Sequence, residues 1–541
     1  MPFQDPIPSA IASPDRLDEK RNERPDAANL RDAAGVNAMG KVYLVGAGPG
    51  DPGLLTLRGA ACLAEADLVL YDGLVNPLQL RHTRGVCERT ARVRRDGTSI
   101  VPQEEINARL VEEARKGKTV VRLKGGDPYI FGRGSEEAAA VQAAGIPFEI
   151  VPGVTAATGA GEYAGFSFTH RDIASAVAFV TGHEDPARES SRLDYSALAK
   201  FPGTLVFYMG LSRLTEICEQ LTIAGLSAST PAAVVCHASL PSQQVVAGTL
   251  ATIGAIARTR QLKPPSLIVV GHCISTREEL SWFERLPLFG LSIGVTRPEE
   301  QADDIADQIV RQGGEPVIMP MIEIRPVECD LEAEIRATLA TLSGIHWLVF
   351  TSVNGVSEFF RHLKASGRDA RSLHSVKIAV IGTSTAKCLE NFGLCADLVP
   401  AEFRAETLGA ELARVAKDQT VLWVRASRGR NVLPEILAES GIRLKQLVVY
   451  ENRDVTSLSM DVVARLRSGA LTWVGLSSPS IVRRFAALLQ SAGIMPSELQ
   501  TKLASISPVT TAAATDCGLT IACEASPSTW QGILDSVKKH R

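Results

Sequence analysis

A chain of 541 residues is too long for one compact fold, since ~150 residues per domain would give roughly three or four domains. With 45% hydrophobic and 22% charged residues, and 57 Lys+Arg against 60 Asp+Glu, it has apolar material for sizeable cores and lacks the basic excess of a nucleic-acid binder. Its longest apolar runs are strand-sized, short of the ~18 residues a bilayer span needs, so neither membrane nor nucleic acid is an expected partner.

Residues 1–38 mix Asp5, Asp15, Asp18, Glu19 and Glu23 with Arg16, Lys20, Arg21 and Arg24 and offer no apolar core for a secretion signal, which predicts a disordered tail. Beyond it, Val/Ile/Leu-rich runs alternate with Ala/Leu/Glu-rich stretches at helical spacing, the pattern of α/β layers with largely parallel sheets. The clearest strands of the first half are KVYLVGAG (41–48), DLVLYD (67–72), TVVRLKGG (119–126), PFEIVPG (147–153), VAFVTG (177–182), TLVFYMG (204–210), PAAVVCH (231–237) and SLIVVG (266–271). Most run into glycine, and Gly-rich strand ends are where open α/β sheets place their ligands. A boundary is expected near LPLFG (286–290), ahead of a second strand set opening with SIGVTRP at 292.

The second half carries an internal repeat. WLVFTSVNGVSEFFRHL (347–363) resembles WVGLSSPSIVRRFAALL (473–489), and KIAVIGTSTAKCLENFG (377–393) resembles KLASISPVTTAAATDCG (502–518). IGVTRP through VIMP (293–320) answers to VLWVRAS through LKQL (421–447), so two similar α/β lobes are expected. The ten cysteines are scattered, with no C-x-x-C pair and no His at metal spacing. They predict buried thiols in a reducing cytoplasm, with no metal site and no disulfides.

Two glycine turns in the first half carry ligand chemistry. Val45-Gly46-Ala47-Gly48-Pro49-Gly50-Asp51 follows a strand, but Asp51 occupies the third position of a dinucleotide G-x-G-x-x-G, which argues against a nicotinamide cofactor. Lys124-Gly125-Gly126-Asp127-Pro128 leaves the next strand, and Asp127 is suited to accept hydrogen bonds from ribose hydroxyls or a ligand amino group. The small-residue turn Pro152 to Ala157 and Tyr208-Met209-Gly210 complete a nucleoside-like site, with the Met209 thioether available to pack beside an adenine or a sulfonium. His183 and His237 are read as core or rim histidines.

VGAGPGDPGLLTLRG, LVLYDGLV, VPQEEIN, VRLKGGDPYIFGRG, PGVTAATGA, FYMG and PAAVV, in order over residues 41–271, resemble the uroporphyrinogen-III C-methyltransferase family of tetrapyrrole methylases. The resemblance implies S-adenosylmethionine as methyl donor, bound folded between two α/β lobes, and a homodimer through this half. By matching motif, the implied cofactor contacts are Pro49, Gly125, Gly126, Asp127, Ile130, Thr155, Ala156, Met209, Ala238 and Leu267. Asp72 is the implied proton acceptor after a pyrrole carbon attacks the sulfonium methyl. Where the family has Lys-Arg upstream of VPQ this chain has Arg94-Arg95, and Ser99 replaces the family's His. Guanidinium, with a pKa above ~12, is a poor proton donor and a good carboxylate clamp, so Arg94 is expected to grip a substrate acetate or propionate.

The second half has hydroxyl-rich strand-to-helix turns at Thr351-Ser352-Val353-Asn354-Gly355, Thr383-Ser384-Thr385, Ser477-Ser478-Pro479-Ser480 and Ser507-Pro508-Val509-Thr510. Each reads as an N-cap or as an anion site for a polycarboxylate. VTRP, IEIRP, FTSVNGV, VIGTSTA, VLWVRAS, VVYENR and LSSPS resemble uroporphyrinogen-III synthase. That resemblance implies one lobe from 290–325 with 455–541 and an inserted lobe from 330–450, joined by a two-strand ladder. It also implies cofactor-free cyclisation of hydroxymethylbilane. Thr351, Ser352, Asn354, Ser477 and Ser478 are the expected substrate contacts, and Tyr450 is expected to hydrogen-bond or protonate the leaving hydroxyl.

The resulting expectation is a tail (1–38), a methyltransferase domain (39–288) and a synthase domain (289–541) in one bifunctional cytoplasmic enzyme acting on small-molecule tetrapyrroles. It would make uroporphyrinogen III and methylate it at C2 and C7 to precorrin-2, on a route to sirohaem or cobalamin. The alternative is a methylase of a later corrin intermediate with a non-catalytic tetrapyrrole-binding module.

Overall fold

The computed structural model describes residues 39–90, 102–183, 193–429 and 431–541. The tail expected at 1–38 and the expected substrate contact Arg94 lie outside them. The chain divides into two compact units, Met1–Ser239 with Gln244–Leu280, and Leu240–Gln243 with Ser281–Arg541. Each described unit is built on two five-stranded sheets in a mixed α/β arrangement.

In the first unit, β1 (Lys41–Gly46), β2 (Leu68–Asp72), β3 (Val86–Thr90), β4 (Thr119–Lys124) and β5 (Phe148–Val151) form a sheet ordered β3-β2-β4-β1-β5. All four pairings are parallel. Helices cover both faces of a parallel sheet, so both sets of alternating side chains must be apolar. Val42 and Leu44 accordingly join one buried cluster, while Tyr43 and Val45 join the other. Among the helices are α1 (Leu57–Glu65), α2 (Gln103–Arg115), α3 (Gly134–Ala143) and α4 (Ala156–Ala164).

The second sheet departs from the largely parallel expectation. Its order is β6-β7-β10-β8-β9, with β6 (Val177–Thr181), β7 (Thr204–Tyr208), β8 (Pro231–Cys236), β9 (Gln244–Thr249) and β10 (Ser266–Val270). Only β6 and β7 run parallel. The other three pairings are antiparallel. The chain between β8 and β9 is too short for a parallel crossover, which takes about a dozen residues or more, so these two strands close as a hairpin.

The second unit shows the repeat as topology. One sheet is wholly parallel, ordered β12-β11-β18-β19-β20, from β11 (Ser292–Val295), β12 (Glu315–Ile318), β18 (Trp473–Leu476), β19 (Lys502–Ser505) and β20 (Ile521–Glu524). The other is ordered β13-β17-β16-β14-β15, from β13 (Ile322–Arg325), β14 (Trp347–Phe350), β15 (Lys377–Val380), β16 (Thr420–Ala426) and β17 (Arg443–Asp454). The repeated segments place β12, β11, β18 and β19 at the positions of β17, β16, β14 and β15, giving both sheets one strand order. The 13-residue helices Val353–Ala365 and Pro479–Ser491 follow the equivalent central strands. The antiparallel pair β13·β17, with Ile322 opposite Asp454 and Arg325 opposite Glu451, carries the chain between the two sheets.

All ten cysteines are free. Among the described residues no helix is long and apolar enough to cross a membrane, and no group of three or more His, Cys, Asp or Glu side chains could hold a metal ion.

Candidate functional site

In the first unit the ends of β1, β4 and β5 meet at three glycines. A Cβ on Gly46 would lie 2.5 Å from Gly153 Cα and 2.7 Å from the Gly126 oxygen, and one on Gly153 would lie 2.4 Å from that same oxygen. The two glycine turns are clipped together, Gly126 N donating to Gly48 O at 2.7 Å and Gly48 N to Gly126 O at 3.2 Å. Gly48 and Gly126 both have left-handed φ, +79° and +71°, which glycine adopts without steric cost.

Asp127 ties this junction to the third turn, its Oδ2 accepting from Gly153 N at 3.0 Å and its Oδ1 from Tyr129 N at 2.8 Å. A carboxylate has about four acceptor sites, so these amides orient the group while leaving capacity for a ligand. Pro49 lies against α4, where a Cβ on Gly159 would come within 2.4 Å of its Cγ. The GPGD aspartate acts as a clamp that sequence reading left without a role. Asp51 Oδ1 accepts from Gly53 N at 2.7 Å, its Oδ2 accepts from the Tyr163 hydroxyl at 2.7 Å, and its amide donates to Ser239 Oγ at 3.1 Å.

The second sheet reaches the same place through Tyr208 at the end of β7. Its hydroxyl lies 2.7 Å from Thr155 Oγ1 and accepts from Ala157 N at 3.0 Å, and its ring centroid is 4.7 Å from that of Phe131 in the second glycine turn. Ala156, Ala238, Leu267 and Tyr208 share one apolar cluster, Leu267 pairing with Tyr208 across β10 and β7. Met209 follows with φ +57° and is 48% exposed, so its thioether is presented instead of packed. Ile130 is likewise partly exposed.

Of the seven described non-glycine residues with positive φ, five lie at these turns: Phe131, Arg133, Met209, His237 and Ser239. Backbone strain of this kind costs of order 1–3 kcal/mol per residue and collects at ligand sites. The structure thus brings Pro49, Gly125, Gly126, Asp127, Ile130, Thr155, Ala156, Met209, Ala238 and Leu267 to one set of strand ends.

Asp72 ends β2 beside that set. The loop after it lies against Gly125, whose Cβ would be 3.0 Å from Leu74 Cβ, and Asn76 Nδ2 donates to Gly50 O at 2.8 Å. The Asp72 side chain is 31% exposed and accepts at Oδ1 from Arg122 and from Thr90 Oγ1. Burial pushes its carboxyl upward, but the Arg122 and Lys124 cations and the two hydrogen bonds outweigh burial and hold it below the ordinary carboxylate value.

In the second unit, Ser352 caps the helix Val353–Ala365 by accepting from Gly355 N at 3.0 Å, and its Oγ lies 3.0 Å from the Tyr450 hydroxyl. Tyr450 is 5% exposed, and burial raises its phenol above the ordinary value despite the Ser352 contact. Thr351 Oγ1 accepts from Trp423 Nε1 at 3.0 Å, and Asn354 stands in the helix's first turn. At the equivalent place in the other lobe, Ser477 precedes Ser478, which caps Pro479–Ser491 by accepting from Ile481 N at 3.3 Å.

Two arginines that sequence reading left unassigned stand at equivalent strand ends, Arg297 just after β11 and Arg425 near the end of β16. Neither has an ion pair among the described residues, and burial lowers both below the ordinary guanidinium value. Arg425 stacks 4.3 Å over Trp423 and donates to Gln446 Oε1 at 2.7 Å. The signal for the pair was in the repeat, where VTRP and WVRA align.

Comparison with known proteins agrees with this division. The family model Tetrapyrrole (Corrin/Porphyrin) Methylases matches residues 41–254, and Uroporphyrinogen-III synthase HemD matches residues 303–535. The porphyrin biosynthesis protein HemD of Ruminiclostridium josui is 37% identical over 454 residues, covering 83% of this chain and 89% of its own length. The uroporphyrinogen-III C-methyltransferase of Bacillus subtilis (strain 168) is 40% identical over 354 residues, covering 65% of this chain and 72% of its own. A siroheme synthase of Ectopseudomonas mendocina (strain ymp) is 49% identical over 251 residues, covering 46% of this chain and 54% of its own. The chain therefore belongs to the tetrapyrrole methylases through its first unit and to the uroporphyrinogen-III synthases through its second, a fusion of two enzyme families of tetrapyrrole biosynthesis.

Proposed function

We propose that the second unit cyclises hydroxymethylbilane to uroporphyrinogen III and that the first methylates this product at C2 and C7, giving precorrin-2. The observation that carries the methylase reading is the gathering of five strained, left-handed side-chain-bearing residues and a three-glycine junction at one set of strand ends. Such a site lets backbone approach a nucleoside closely, and the exposed Met209 thioether suits a sulfonium neighbour. S-adenosylmethionine supplies an electrophilic methyl group. The chain's residues hold it through Pro49, Gly125, Gly126, Asp127, Ile130, Thr155, Ala156, Met209, Ala238 and Leu267, and Arg94 grips a substrate carboxylate.

Attack by a pyrrole carbon leaves the macrocycle cationic, and a carbon-bound proton of such a cation is acidic. Asp72 accepts it. A carboxylate of depressed pKa is a weak base, but it is always ionised near neutrality and is sufficient for so acidic a proton.

The synthase reading rests on the two equivalent hydroxyl-capped helix starts, Ser352 and Ser478, with arginines at equivalent strand ends. Thr351, Ser352, Asn354, Ser477, Ser478, Arg297 and Arg425 contact the substrate carboxylates. Tyr450, its phenol kept protonated, donates toward the departing hydroxyl alongside Ser352. Tyr450→Phe is expected to slow formation of the type III isomer by roughly 10-fold or more, by analogy with other losses of a positioned proton donor. Chromatographic separation of the isomers measures this, and a parental rate would remove Tyr450 from the reaction. We assign the protein to the cytoplasm and the methylase unit to a homodimer. Calorimetric titration of the purified chain with S-adenosylmethionine, followed by methyl transfer to uroporphyrinogen III, tests the first reaction; no binding would refute it.

A further inference from the structure

Three ionisable side chains are packed together behind Asp72, and no step described so far uses them. Arg122, on β4, is 2% exposed, Lys124 is 3% exposed and Glu137, on α3, is fully buried. Arg122 sits in the sheet directly beside β2, its Cα paired with Leu70. Its guanidinium forks. One end donates to Asp72 Oδ1, Nε donates to Glu137 Oε1 at 3.0 Å, and Nη1 reaches Leu70 O at 3.3 Å. Gln103 Nε2 also donates to Glu137 Oε1 at 3.0 Å, and the Lys124 ammonium stands 2.9 Å from both Glu137 oxygens. Removing charges from water is costly, and replacing such an array with apolar residues is often neutral or stabilising, so fold stability alone is a poor account of it. The array is also asymmetric. Its hidden carboxylate, Glu137, anchors the arginine, while the carboxylate at the other end of the fork, Asp72, is the partly exposed one.

Both described donors to Asp72, Arg122 and Thr90, bind Oδ1, and among the described residues Oδ2 has none. We infer that Arg122 is a positioning residue for proton removal: pinned by Glu137, it fixes Asp72 through Oδ1 and leaves Oδ2 as the atom that takes the proton. The inference rests on the methylase reading above. In that step the C–H electron pair returns to the macrocycle as the proton moves to Oδ2, and the neutral acid then gives the proton to water. Among the described residues, the charged groups facing Asp72 are Arg122 and Lys124 from β4, with Glu137 of α3 behind them. From β3 the contact is the Thr90 hydroxyl, while the Arg89 guanidinium lies against the following Gly73. With Arg122 in place Asp72 stays ionised as pH falls, so the acid limb of turnover lies low. Without it, the limb moves to higher pH.

The test is methyl transfer from S-adenosylmethionine to uroporphyrinogen III by the full-length protein from about pH 3 to 8, a range that includes the ordinary carboxylate value. The double variant Arg122→Gln/Glu137→Gln removes the fork and leaves Lys124 as the buried cation near Asp72. Arg122→Lys keeps the charge but is too short a donor set to bridge both carboxylates. For the double variant kcat is expected to fall on the order of 10²-fold, the scale of a misplaced catalytic group, with KM little changed and the acid limb at higher pH. Arg122→Lys is expected to recover part of kcat and to return the limb toward its parental position, because the cation is restored. If the double variant does not fold, Arg122→Lys decides alone, an intermediate kcat with a near-parental limb supporting the role. Parental kcat and pH profile in a folded variant would overturn it, leaving Arg122 a structural ion. Asp72→Asn in the same assay separates the two levels. No methyl transfer by the parent sinks the methylase reading itself; full activity in Asp72→Asn removes Asp72 as the proton acceptor and the inference with it, and loss in Asp72→Asn with none in the Arg122 variants sinks only the inference.

Discussion

Asp72→Asn is expected to lower methyl transfer to uroporphyrinogen III by ~10²–10⁴-fold, the usual contribution of a positioned acid or base, while S-adenosylmethionine binding stays within about twofold of the parent. The amide keeps the size of the side chain and its acceptor oxygen for Arg122 and Thr90, so the end of β2 should hold its shape. What it lacks is an anion able to take a proton. A radiolabelled methyl-transfer assay run beside calorimetric titration separates the two effects. Turnover near the parental rate would show that the proton leaves to water or to another group.

Gly153→Ala should damage binding and not chemistry. Its Cβ would fall 2.4 Å from the Gly126 oxygen and 2.7 Å from Gly46 Cα, both backbone atoms of neighbouring strand ends, so no side chain can swing away. Overpacking of this kind costs about 1–3 kcal/mol or more, which for a unit of this size is several degrees of melting temperature. The displaced atoms belong to the two glycine turns, so affinity for S-adenosylmethionine should fall by at least about 10-fold, the equivalent of ~1.4 kcal/mol. Thermal unfolding and calorimetry measure both. A variant with the parental melting temperature and affinity would mean that the three strand ends do not need their close approach.

Among the strands legible in the sequence, KVYLV and TVVRL are covered on both faces, so apolar residues fill most of their positions, with Arg122 an exception, while VAFVT was legible although its Val177 and Phe179 are partly exposed. Two edge strands escaped sequence reading. In β3, Val86, Cys87, Glu88 and Arg89 are all exposed, so no alternation records a buried face, and β9 is half-exposed beside a hairpin. The antiparallel character of the second sheet was equally hidden, because direction is set by connection length and not by strand composition. The glycine turns were legible because close backbone approach requires glycine at Gly46 and Gly153 and a left-handed φ of +71° favours it at Gly126. Arg122 and Glu137 were not. An arginine inside TVVRLK was a visible anomaly, but Glu137 in GSEEAAAV reads as a solvated helix face until the order β2-β4 places it behind Asp72. In the second unit the repeat foretold two similar lobes, and their equivalent strands follow one order, whereas the seating of Tyr450 on Ser352 joins residues 98 positions apart that no local pattern connects.

Incubating the purified full-length chain with hydroxymethylbilane and S-adenosylmethionine, and following products by mass and isomer analysis, tests the two-reaction account most directly. It predicts that the linear tetrapyrrole loses water to give the type III macrocycle, which then gains the mass of two methylene groups. Formation of the type I isomer alone, with no gain in mass, would contradict it.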